Sequence, residues 1–169
     1  NTAKVTINAA TGIQLPAKSN SKLTVSGGEL NINATASGVE LVDSTSTMTL
    51  SGGKVNITDK NSTPTITGMV CRGKSLFSGA EVTFSNCKID LQSLNPNNKM
   101  TGGKLHLSGN SSGAQFYFDF EMTDGVIDGS TRALGIVASQ GTTTLKGGTV
   151  NITASYPFYL TYDATVDFA

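Results

Sequence analysis

Apolar and polar residues alternate in short runs along this chain, and the alternation breaks at one recurring place. In Val25-Ser26-Gly27-Gly28-Glu29-Leu30-Asn31-Ile32, the apolar Val25 and Leu30 lie five positions apart. A straight strand would turn them to opposite faces, because strand side chains alternate with a period of two. The glycine pair therefore marks a bend, where a residue without Cβ takes a positive φ at little steric cost. Each unit reads as strand, glycine corner, strand.

The unit recurs. Ser26-Gly27-Gly28-Glu29-Leu30-Asn31-Ile32 returns as Ser51-Gly52-Gly53-Lys54-Val55-Asn56-Ile57, Thr101-Gly102-Gly103-Lys104-Leu105-His106-Leu107 and Lys146-Gly147-Gly148-Thr149-Val150-Asn151-Ile152. Two worn copies fill the gaps, Ser85-Asn86-Cys87-Lys88-Ile89-Asp90-Leu91 and Thr123-Asp124-Gly125-Val126-Ile127-Asp128-Gly129. The copies start 25, 34, 16, 22 and 23 residues apart. Aligned, they form an apolar column before the corner (Val25, Leu50, Phe84, Met100, Met122, Leu145) and two after it, headed by Leu30 and Ile32. Between those two runs a polar column of Asn31, Asn56, Asp90, His106, Asp128 and Asn151.

A third short apolar segment follows a glycine in several copies, as in Gly38-Val39-Glu40-Leu41, Gly68-Met69-Val70 and Gly135-Ile136-Val137. Three strands in a period of this size predict an all-β fold, a parallel β-helix (β-solenoid) of about six to seven coils. The long interval predicts an insertion at about 59–79, around Asn61-Ser62-Thr63-Pro64. The short one predicts a truncated coil at about 92–100. Residues 1–169 read as one β-helix domain whose ends are open. The chain starts halfway through a coil at Val5-Thr6-Ile7-Asn8-Ala9 and closes on a further first strand, Ala164–Phe168. That is the expectation for a fragment of a longer protein.

Composition narrows the function. Lys+Arg and Asp+Glu number 12 each and the formal net charge is zero, so no electrostatic footprint for nucleic acid or an anionic membrane is present. No apolar run is long enough for a spanning helix. Low charge with abundant Thr, Ser and Asn is common in bacterial extracellular proteins. Cys71 and Cys87 are read as buried core residues or as a bridge between coils, the two readings staying open, and with the lone His106 they lack metal-ligand spacing.

With these columns, the chain resembles a pectate-lyase-like right-handed parallel β-helix. The phrase from Thr143 to Ala154 in particular is similar to carbohydrate-binding β-helix modules of bacterial secreted or surface proteins. The resemblance implies polysaccharide or host-glycan binding, sometimes with calcium. This chain departs from the pattern where Ser155-Tyr156-Pro157-Phe158 replaces a Gly-Asp-Gly-Ile phrase, and no calcium or other cofactor is expected.

Sugar binding needs aromatic platforms and amide or carboxylate partners. In Phe116-Tyr117-Phe118-Asp119-Phe120, strict alternation sends the phenylalanines to the core and leaves Tyr117 and Asp119 exposed. Near the end, Tyr156, Tyr159 and Tyr162 crowd together, and Asn31, Asn56 and Asn151 supply amides. If the chain is an enzyme, its carboxylates are Asp90 and Asp128, which share the polar column with His106. The expected function is a non-enzymatic extracellular module binding carbohydrate, with neighbouring modules of the same protein as further partners. The alternatives are a structural stalk or adhesin segment, a polysaccharide lyase or hydrolase, and an ice-binding solenoid using the Thr-rich phrases.

Overall fold

The structure, a computed structural model, describes residues 2–169 and contains only strands among them. Chain order runs β1 (Lys4–Leu15), β2 (Lys22–Leu41), β3 (Thr47–Asp59), β4 (Thr67–Cys71), β5 (Lys74–Ser85), β6 (Ile89–Ser93) and β7 (Asn98–Leu107). It continues with β8 (Ser112–Phe116), β9 (Phe120–Ser130), β10 (Leu134–Ala138), β11 (Thr142–Leu145), β12 (Thr149–Thr153), β13 (Tyr156–Leu160) and β14 (Thr165–Phe168). Every pairing is parallel, and the chain winds through about seven turns. This is a parallel β-solenoid, consistent with the right-handed β-helix expected.

Each turn has three sides. The first precedes the glycine corner and stacks along β2-β3-β5-β7-β9-β11-β14. The second follows the corner and includes β12 against β9. The third stacks along β2-β4-β6-β8-β10-β13. On the second face Val5, Leu30, Val55, Val82, Leu105, Ile127 and Val150 pair rung by rung. Ile32, Ile57, Phe84 and Leu107 form the adjoining inward column and are essentially inaccessible to solvent. Rungs about 4.8 Å apart bring like side chains into contact, and each fully buried aliphatic or aromatic side chain contributes about 1.5–3 kcal/mol of apolar transfer.

The register corrects the repeat alignment. Leu50 pairs with Phe77 and Val55 with Val82, so the third complete copy is Ser78-Gly79-Ala80-Glu81-Val82-Thr83-Phe84. Ile89-Asp90-Leu91 belongs instead to the third face, where Leu91 pairs with Met69. Ala80 in place of the second glycine hides the copy. Gly53 carries φ +79, whereas Ala80 has no positive φ, so this corner turns without a left-handed residue. The copies therefore begin at positions 26, 51, 78, 101, 123 and 146, a nearly even winding.

No turn is truncated at 92–100, because Leu76 pairs with Lys99 and Ile89 with Ser112. The insertion narrows to a corner. The offset between partners is 25 at Ala34/Asp59 and 30 at Ser37/Thr67, which confines the added residues to 60–66.

Gly129 interrupts the second-face core column, pairing with Leu107 on one side and Ile152 on the other. Its φ is +141, and a Cβ there would run into the Leu107 carbonyl. Column logic favours isoleucine; backbone geometry forbids it. Gly129→Ile is expected to lower stability by about 2–5 kcal/mol from strain and overpacking. Denaturant unfolding checks this, and a stabilised variant would overturn the assignment.

Candidate ligand-binding groove

The outward side of the first face carries Thr47 and Thr49, then Lys74 and Leu76, Asn97 and Lys99, Asp119 and Glu121, and Thr142 and Thr144 on successive rungs. Two hollows lie over it, of about 270 Å³ and 310 Å³, and both are lined by Asn97 and Lys99. They adjoin at these two residues, and their linings together make a shallow, grooved surface over five rungs along the solenoid axis, about 19 Å at the inter-strand spacing.

The groove wall is made by the corner loops between the third and first faces. Residues 94–98 are held by asparagines. Asn95 Nδ2 donates to the Arg72 carbonyl (3.0 Å), and Asn95 Oδ1 accepts from the Asn97 amide (3.0 Å). Asn98 is buried, with Oδ1 accepting from the Ser75 amide (2.7 Å) and Nδ2 donating to Ser93 Oγ (2.7 Å). Such fully satisfied polar contacts fix a loop in one geometry. In the next turn, Phe116 and Phe120 stack inside with centroids 3.9 Å apart and planes 6° from parallel. The intervening residues 117–119 cross the corner, anchored by the Tyr117 amide on the Ser93 carbonyl (3.0 Å) and by Asp119 Oδ1 accepting from the Thr142 amide (2.8 Å).

Charge within the groove is partly locked. Lys146 (2.7 Å) and Lys99 (2.8 Å) clasp Glu121, and these contacts bring its carboxyl down to about 2. Lys74 makes no ion pair among the described residues.

The second face contrasts with this. Its outward side chains satisfy one another: Lys4–Glu29 (3.0 Å), Lys54–Glu81 (3.4 Å), Lys104–Asp128 (2.8 Å), and Asn56 Nδ2 donating to Asn31 Oδ1 (2.9 Å). Asn151 belongs to the same column but is separated from Asn56 by Thr83, His106 and Asp128. His106 Nδ1 lies 2.7 Å from Asp128 Oδ1. Burial would raise the Asp128 carboxyl, but Lys104 and His106 outweigh it and leave it lowered.

Asp90 does not join them. It is 0% exposed, inside the wall, while His106 and Asp128 face outward. It occupies the third-face position that is Gly38, Gly68, Gly113 and Gly135 in other turns. Its Oδ2 accepts from the Ser108 and Gly109 amides (both 2.6 Å), and its Oδ1 is buried without a partner. The three-residue cluster expected from the column is therefore not assembled, because the misplaced copy had put a third-face residue on the second.

The aromatic expectations divide. The chain leaves β structure after Phe116, so strict alternation fails. Phe118 is 42% exposed and Tyr117 only half-buried, the reverse of the sequence reading, while Asp119 is exposed as expected. Tyr156, Tyr159 and Tyr162 are exposed at 59%, 42% and 86%, all on the last turn, Tyr156 and Tyr159 on the third face and Tyr162 in the corner loop that follows it. Tyr156 and Tyr159 meet edge to face at 6.0 Å. Cys71 and Cys87 are buried free thiols, each pushed up to about 12 by burial.

Asn97, Lys99, Glu121, Thr142 and Thr144 escaped sequence reasoning as site residues. The signal was the polar column one position before the inward residue, and it needed the correct register to show. Among the described residues no group of three or more His, Cys, Asp or Glu is placed to hold a metal ion. No protein-family model, curated protein or solved structure matches this chain.

Proposed function

We propose that the chain is a non-enzymatic, extracellular carbohydrate-binding module of a bacterial surface or secreted protein, and that the first-face groove receives an unbranched glycan lying along the solenoid axis. The observation that carries this reading is the pair of adjoining hollows whose linings run over five rungs with polar side chains on each. Hydroxyl, amide, ammonium and carboxylate groups recur at nearly the spacing of successive sugar units. The ligand therefore gains many weak contacts on a surface already held rigid, which lowers the ordering cost of binding. Tandem modules would add avidity. The pectate-lyase-like resemblance of the repeat supports the same class of ligand.

A length series of neutral oligosaccharides tests it by titration calorimetry. Affinity is expected to rise with chain length and level off once the groove is filled. Lys99→Ala, which removes a groove side chain and leaves Glu121 paired with Lys146 alone, weakens the longest ligand several-fold. Absence of binding to any glycan of the series would remove the reading. The second reading, a structural stalk, is favoured by the second face, whose paired charges leave little for a ligand to engage.

A further inference from the structure

We infer that the two open ends of the solenoid are complementary docking surfaces, through which a second copy of this chain stacks head to tail and extends the strand ladders. The inference is independent of the carbohydrate reading. Among the described residues β1 pairs with β2 alone, β12 with β9, β13 with β10 and β14 with β11. Each end therefore presents unpaired backbone edges, a template for further parallel pairing.

The inward apolar columns stop at these edges. At the C-terminal end Leu160 and Phe168 continue the columns of Ala138 and Leu145, yet both are exposed, Phe168 at 70%. At the N-terminal end Val5 continues the column of Leu30 and is 51% exposed, beside a hollow of about 340 Å³ lined also by Ile7, Ile13 and Leu23. A stacked copy would set Val150 over Val5, Phe158 over Ile13 and Phe168 over Val25, each pair belonging to one inward column. The step in each helical edge falls at the same corner. Ala3 lies against Gly28, and the Ala169 amide bonds the Leu145 carbonyl just before Gly147 and Gly148. Opposite ends therefore meet without a half-turn gap.

Charge selects the occupant. Residues 1–28 carry Lys4, Lys18 and Lys22 and no carboxylate side chain, whereas residues 147–169 carry Asp163 and Asp167 and no Lys or Arg. In the head-to-tail stack Asp163 falls opposite residues 18–20, and Asp167 lies diagonal to Lys22. Two like ends brought together would set lysine against lysine or aspartate against aspartate. The interface is thus heterologous, and it repeats along the axis instead of closing on a two-fold.

The test mixes two single-cysteine variants, Asn8→Cys and Thr153→Cys. In the stack these outward positions sit on adjoining rungs, with Cα atoms about 4.8 Å apart and so within disulfide range. Within one chain they stand at opposite ends of the solenoid, and Cys71 and Cys87 are buried. Under mild oxidation the mixture is expected to cross-link at least tenfold more than either variant alone. In sedimentation velocity the unmodified chain is expected to form dimers and longer species as concentration rises. Phe168→Lys is expected to associate at least tenfold more weakly, with an unfolding midpoint close to the parent's. Equal cross-linking by either variant alone, or a particle that stops at the dimer, would mean that like ends meet and would overturn the inference. A chain that stays monomeric at every concentration, or a Phe168→Lys chain that associates as the parent does, would overturn it too.

Discussion

Replacing Asp90 by alanine lowers the free energy of unfolding by about 2–5 kcal/mol at pH 5, because the buried Ser108 and Gly109 amides lose their only side-chain acceptor. Asp90→Asn behaves differently. Its amide oxygen keeps both bonds, and the protein loses a buried acid. Burial raises the Asp90 carboxyl from 3.8 to about 7 against the opposing pull of the two amides. The folded state therefore holds a proton that the unfolded chain has released. The stabilisation this gives is complete below 3.8 and is lost as pH rises to about 7, some ~4 kcal/mol in all.

Urea unfolding at several pH values reads this directly. The difference between parent and Asp90→Asn should change across that window and be flat above it. Asp59 acts in the other direction. Burial opposes its ionisation, but the amides of Thr65, Asn61 and Ile66 outweigh that and hold its carboxyl low. Its contribution is present above its ordinary value of 3.8 and fades as pH falls below it, so it does not mask the Asp90 window. Parallel pH profiles for the parent and Asp90→Asn would contradict the account of Asp90.

The second large effect lies under the groove. Phe116→Ala removes one of two stacked, fully buried rings and is expected to cost about 3–5 kcal/mol. Because Phe116 and Phe120 bracket residues 117–119, the same change frees the corner loop from its interior anchor. Hydrogen exchange should show the Tyr117 and Thr142 amides, both bonded across turns, losing protection well before amides of the second face. Uniform loss of protection over the whole solenoid would mean that the loop has no separate anchorage.

The parallel architecture was legible because glycine pairs punctuate an otherwise plain alternation. Gly28, Gly53, Gly103 and Gly148 all take φ near +80, a conformation that recurs in sequence as it recurs in space. The copy at Ser78–Phe84 was not legible, since Ala80 breaks the glycine signal and Ser85–Leu91 imitates it by chance. That slip moved Asp90 to the wrong face and turned even spacing into a long and a short coil.

The groove was harder still. Its members come from outward positions whose alignment depends on corner-loop lengths. The exposure of Phe118 follows from the chain leaving the strand. Tyr117 and Phe118 exchanged roles for that reason. Asp119 is exposed as alternation led one to expect, although the chain has by then left the strand.

Residue-resolved NMR titration with a long neutral oligosaccharide tests the central claim most directly, because it asks which face of the solenoid a glycan occupies. Shift changes should trace a line through the amides of residues 49, 76, 99, 119 and 142–144, while Asn31, Asn56 and His106 on the second face stay unmoved. Changes confined to Tyr156, Tyr159 and Tyr162, or to the second face, or no changes at saturating glycan, would contradict it.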